Sequence, residues 1–131
     1  MRVITVRWRP ALFLLCLASA LAATPLESQS RRVIRITAER FAFTPSEVAL
    51  EPGEEVELRL KSDDTAHGFR IVGTGISLTI PKRGRSELSV VFRPTEPGRY
   101  TFECTRMCGA GHNFMRGVLV VRARSDQATQ R

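Results

Sequence analysis

Helical signal is scarce in this chain: over 131 residues no stretch repeats apolar side chains at intervals of three and four, and seven prolines and nine glycines divide it into short runs. No apolar run reaches the roughly 20 residues that a membrane-spanning helix needs, which argues against a permanent membrane span. There is no clustered basic patch with interleaved aromatics and no nucleic-acid motif, so nucleic-acid binding is not expected. A Ser/His/Asp arrangement and a carboxylate pair are also lacking, which argues against a hydrolase. Histidine occurs twice and cysteine and methionine three times each, so any metal chemistry has to come from very few side chains.

The first ten residues carry Arg2, Arg7 and Arg9 without an acid, and Ala11 to Ala23 is an apolar run rich in Leu and Ala. This is the layout of a signal peptide, with small residues at Ala20-Leu21-Ala22 and Leu21-Ala22-Ala23 for cleavage. Cys16 lies within the run behind Leu15, which is too large for a lipoprotein signal. Residues 1–23 are therefore read as a cleaved signal, 24–32 as a polar leader, 33–122 as one domain and 123–131 as a polar tail. An exported, periplasmic location follows from that reading. Without the three signal arginines, seventeen basic residues face thirteen acidic ones, a mild balance. A chain of this size buries one core and has no room for a second catalytic domain.

The body reads as strands. Val33 to Thr37 is β-branched, Phe41 to Pro45 is a kinked continuation of it, and Glu47 to Leu50 leads to the turn at Pro52-Gly53. Val56, Leu58 and Leu60 alternate with Glu57, Arg59 and Lys61, the period of a half-buried strand. Gly68 to Val72, Ile76 to Ile80, Leu88 to Phe92, Arg99 to Cys104 and Gly117 to Arg122 complete the set. The pattern predicts an all-β Greek-key sandwich of seven or eight strands.

The chemistry is concentrated in Cys104-Thr-Arg-Met-Cys108-Gly-Ala-Gly-His112-Asn-Phe-Met115, twelve residues that hold two thiols, an imidazole and a thioether. Soft sulfur with imidazole selects copper or zinc over magnesium or calcium, and the thioether favours copper. A mononuclear blue copper site needs one thiolate; here there are two, which can bridge a pair of ions. Such a pair requires a second imidazole, and His67 is the only other one. A backbone carbonyl between the cysteines would supply the last weak ligand.

Cys104-x3-Cys108-x3-His112-x2-Met115, with His67 upstream and Pro97-Gly98-Arg99-Tyr100 before the first cysteine, resembles the binuclear CuA domain of cytochrome c oxidase subunit II, a cupredoxin. The pattern is also similar to that of nitrous oxide reductase. The resemblance spans Val33 to Arg122. It implies two copper ions bridged by Cys104 and Cys108, with His67 and His112 as terminal ligands and Met115 and the Arg106 carbonyl as axial ones. It further implies a cupredoxin-like fold and one-electron transfer, with a redox partner such as a c-type cytochrome or a terminal reductase. The oxidase members carry Glu where this chain has Arg106, and they place a membrane hairpin and an aromatic-rich segment before the domain. Both differences argue against an integral oxidase subunit, although a role as the electron-accepting module of such a complex stays open.

Other readings exist for the same residues. Cys104 and Cys108 can form a disulfide in an exported protein, the two Cys and two His can hold zinc, and copper storage or delivery can use the same ligands. Met107, Phe69, Phe102 and Phe114 are expected to pack in the core or around the site. Gly109, Ala110, Gly111 and Phe114 would form a small apolar patch beside His112, flanked by Arg106 and Arg116, which suits an acidic or neutral partner.

Overall fold

A computed structural model describes residues 30–123. Nine strands form two sheets. The first sheet has the order β2-β1-β4-β7, from β1 (Arg32–Glu39), β2 (Ala42–Thr44), β4 (Val56–Ser62) and β7 (Leu88–Phe92). The second has the order β3-β9-β8-β5-β6, from β3 (Glu47–Leu50), β5 (His67–Ile71), β6 (Ser77–Ile80), β8 (Gly98–Glu103) and β9 (Arg116–Val121). One short 3-10 turn, His112–Phe114, lies between β8 and β9.

Nine strands replace the expected seven or eight, and one segment runs differently from its reading. Phe41 to Pro45 does not continue β1. It doubles back, and β2 pairs antiparallel with β1 through Ala38↔Phe43. The reversal places Phe43 in the core at 1% exposure, which a straight continuation would not need. β3 then crosses to the other sheet and runs parallel to β9. Residues 1–23, read as a signal, lie outside the described residues, as does most of the segment read as a polar leader; the described tail ends at Ala123.

The core follows from period-two alternation. Ile34, Ile36 and Ala38 of β1 and Val56, Leu58 and Leu60 of β4 face inward, against Phe69, Ile71, Phe102, Leu119 and Val121 of the second sheet. Burying each large apolar side chain contributes ~1.5–3 kcal/mol before chain entropy is charged. At one end of this core Phe43, Phe69 and Phe102 meet with ring centroids 5.3 to 5.8 Å apart. The Phe43 ring stands edge-on to the other two. Phe69 lies two residues after His67 and Phe102 two before Cys104, so each ring shares the inward face of its strand with one of the site side chains. The floor of the site is thus the roof of the core.

Candidate metal centre

His67 is the first residue of β5, and its inward-facing position leaves it fully buried. Cys104 directly follows β8 and begins a loop that returns at Met115, just before β9. The Cys104 N–H donates to the Met115 carbonyl at 3.0 Å, closing the neck of this loop. Inside it, the N–H groups of His112, Phe114 and Met115 donate to the carbonyls of Gly109, Gly111 and His112 at 3.0 to 3.1 Å. These bonds fix the 3-10 turn that aims His112 back at the sulfurs. Gly109 adopts φ +140, a conformation L side chains rarely take.

Short contacts link the six expected donors in pairs, and His67, Cys104 and Cys108 form the compact group among them. The two thiols are free, with their sulfurs 4.0 Å apart. Cys104 Sγ lies 4.0 Å from His67 Nδ1 and 3.2 Å from the Arg106 carbonyl oxygen. Cys108 Sγ lies 3.9 Å from His112 Nδ1 and 3.8 Å from Met115 Sδ. Each sulfur therefore has one imidazole and one weak donor of its own. The donor atoms of His67, Cys104 and Cys108 all lie within 4.8 Å of one another. Metal–thiolate bonds are about 2.3 Å, so a single soft ion near the midpoint of sulfurs 4.0 Å apart can touch both. The donor set fits soft metal ions in composition and in spacing.

Electrostatics prepare the same state. His67 Nε2 lies 2.6 Å from Asp64 Oδ1. In the neutral tautomer that donates from Nε2 to this carboxylate, the Nδ1 lone pair faces Cys104. Asp64 itself is held below the ordinary carboxylate range: burial pushes its pKa up, but hydrogen bonds from His67 and from the backbone at Arg40 and Thr65 outweigh it. Burial, then the neighbouring Cys104, pushes the Cys108 thiol up to about 11. A metal ion binding there must displace protons from the thiols.

Met107, read as a packing residue, is 75% exposed, and Phe114 is 82% exposed, which departs from a shell around the site but suits the apolar patch expected beside His112. The loop that presents the ligands carries their side chains outward, with no neighbouring element to cover them. Phe69 and Phe102 do pack in the core as expected. Asp64 is not singled out by the sequence analysis, although an acid three residues before a candidate ligand histidine is a local signal for it. Beside the ligands, a cleft of about 460 Å³ reaches Cys104, His112 and Met115 and is rimmed by Arg70 and Arg116.

The family model of the cupredoxin-like domain matches residues 11–121. Cytochrome c oxidase subunit 2 of Thermus thermophilus is 30% identical over 89 residues, 68% of this chain and 64% of that protein. Nitrous-oxide reductase of Cupriavidus necator is 33% identical over 94 residues, 69% of this chain but 14% of the reductase. The chain thus spans less than two thirds of these relatives. Among solved structures, the periplasmic domain of subunit II of cytochrome oxidase (CoxB) of Bradyrhizobium japonicum superposes with a TM-score of 0.66 at 16% identity, covering 76% of this chain and 89% of that one.

Proposed function

The chain belongs to the cupredoxin-like domain family, and from that membership and the donor geometry we propose that it is an exported copper protein with a binuclear centre that carries single electrons. One observation bears most of this reading: each of the two sulfurs has its own imidazole and its own weak donor, so the donor set divides into two halves, one with a carbonyl oxygen and one with a thioether. Cys104 and Cys108 would bridge, His67 and His112 would be terminal ligands, and Met115 and the Arg106 carbonyl would complete the two halves. Bound there, copper would supply a one-electron couple.

The protein's own part is rigidity and exclusion of water. His67, Cys104, Cys108 and Met115 are at most 7% exposed, and the ligand loop is tied at its neck and across its 3-10 turn. Donors placed in advance move little when the charge on the site changes, which keeps electron transfer fast. The same features favour a retained ion over a cargo ion, because four of the donors are buried, three of them in a hydrogen-bonded loop, with His112 half-buried at the cleft. Among the described residues no helix is long and apolar enough to cross a membrane, and export rests on the signal-like residues 1–23.

Electrons would enter or leave over the exposed rim. Phe114 and Met107 form its apolar part, and the strand registers put the loops 40–41, 63–66, 81–87 and 104–115 at this end of the sandwich. Those loops carry Arg40, Lys82, Arg83, Arg85 and Arg106 against Asp63, Asp64 and Glu87. A redox partner with acidic or neutral character fits this face, either a c-type cytochrome or a terminal reductase that uses the domain as its electron-accepting module.

Copper stoichiometry and the EPR spectrum of the reconstituted, partly oxidised protein test the proposal. Two coppers per chain sharing one unpaired electron are expected. One copper with an ordinary single-nucleus spectrum would overturn the binuclear reading.

A further inference from the structure

We propose that Arg40, in the turn between β1 and β2, is a positioning residue that couples the two loops bearing the ligands. The inference rests on the metal-site reading above for its purpose, but its geometry stands independently. The Arg40 side chain donates from Nε to the Cys108 carbonyl at 2.7 Å, across a separation of 68 residues. Its backbone N–H donates to Asp64 Oδ2 at 3.1 Å, and Nε lies 3.9 Å from the same oxygen. The other oxygen of Asp64 holds His67 Nε2 at 2.6 Å. Bonded contacts therefore run from His67 through Asp64 and Arg40 to Cys108.

The ligand loop needs such a brace in its middle. Between Cys108 and His112 stand Gly109, Ala110 and Gly111, which have no side chain long enough to pack. The residue after Arg40 fills that space: a Cβ on Gly109 would stand 2.8 Å from the Phe41 ring, and one on Gly111 2.9 Å from Phe41 Cβ. The turn Arg40-Phe41 lies over the loop, with the guanidinium fixing the Cys108 carbonyl and the ring covering the glycines. Charge is a second, separable effect, since a cation beside Cys108 offsets part of the negative charge of a thiolate. Arg is suited to both tasks, because its Nε–H reaches the Cys108 carbonyl while its permanent charge stays within ion-pair distance of Asp64.

Three variants separate the effects: Arg40→Met, which loses charge and fork; Arg40→Lys, which keeps the charge; and Phe41→Leu, which keeps an apolar cover of different shape. The first readout is amide hydrogen exchange in the reduced, metal-free protein, where Met107 to His112 should exchange about tenfold faster in Arg40→Met and in Arg40→Lys, with a smaller rise in Phe41→Leu. The core amides of Leu58 and Leu119 should be unchanged. The second readout is the reduction potential of the copper-loaded protein. Removing a positive charge favours the more positive, oxidised site, so Arg40→Met should lower the potential more than Arg40→Lys does. Loop exchange that is unchanged in Arg40→Met, or that rises only together with the core amides, overturns the proposal. Because exchange is read without metal, faster loop exchange beside a failed binuclear spectrum would sink the binuclear reading and leave the brace standing.

Discussion

The Nδ1 of His67 stands 4.0 Å from the Sγ of Cys104, although 37 residues separate them in the chain. Strand pairing brings them there. β5 and β8 are antiparallel neighbours, with Arg70 opposite Glu103 and Ile71 opposite Phe102. Carried two and three residues past the end of β8, that register sets Gly68 opposite Thr105 and His67 opposite Arg106, so the histidine meets the ligand loop where it leaves the sheet.

Gly68 makes this approach possible, and Gly68→Ala should break it. The added Cβ would lie 2.5 Å from the Thr105 nitrogen and 2.7 Å from the Arg106 nitrogen, both main-chain atoms that cannot swing aside. Overpacking of this kind costs about 1–3 kcal/mol. Denaturant unfolding of the metal-free protein should show that loss, and metal titration should show reduced copper capacity. Full stability with a full copper complement would mean that the loop is free to retreat.

Met115 lies 1% exposed with its sulfur 3.8 Å from Cys108 Sγ. Leucine nearly conserves its volume, so Met115→Leu should cost about 1 kcal/mol or less in the metal-free protein. The copper-loaded variant should nevertheless show an altered potential and optical spectrum, because a weak donor has gone. Voltammetry that matches the wild type would reduce Met115 to packing.

The Cys108 thiol, pushed up to about 11 by burial and by Cys104, should react slowly in the metal-free protein. Its rate of alkylation by iodoacetamide, followed by mass spectrometry of the labelled peptide, should still be rising above pH 10. A thiol at the ordinary value of 9.0 levels off about one unit above it. The same shift has a stability sign. The folded state holds this proton more tightly than the unfolded one, so its contribution is full at lower pH and is lost between the ordinary value of 9.0 and about 11.

Asp64 acts on the acid side. Its folded pKa lies below the ordinary 3.8, so its contribution is present above 3.8 and is lost as pH falls through the lowered folded value. The stability difference between wild type and Asp64→Asn should be constant in neutral solution and shrink below pH 3.8. Asp64→Ala, which removes the acceptor for His67 Nε2–H, should weaken copper binding by about 10- to 100-fold. Competition with a copper chelator measures that; unchanged affinity would deny the carboxylate its orienting role.

Arg116 tests the docking face. Electron exchange with hexacyanoferrate, a multiply charged anion, should slow as salt is added, and Arg116→Glu should lower the low-salt rate several-fold while leaving the copper spectrum unchanged. Identical rates and salt slopes in the two proteins would place the contact elsewhere.

Much of the site was legible because its donors are local. Cys104, Cys108, His112 and Met115 sit within twelve residues, and their chemistry restricts the metal before any fold is known. Met107 was misread as packing because hydrophobicity states a preference for burial and cannot state whether a neighbour exists to provide it; on this loop none does, and Phe114 stands out as part of the apolar patch expected there. The β2 reversal was missed for a similar reason, since the run through Phe41 to Pro45 looks extended whichever way it turns.

The sequence by itself determined the donor inventory, the alternation that builds two sheets and the small residues that let the ligand loop fold tightly, because each depends on near neighbours in the chain. The tertiary structure alone decided that His67 turns Nδ1 toward Cys104, that Asp64 holds its other nitrogen, and that Arg40 reaches Cys108. Contacts spanning 37 and 68 residues are set by strand register and sheet packing, which no local pattern encodes.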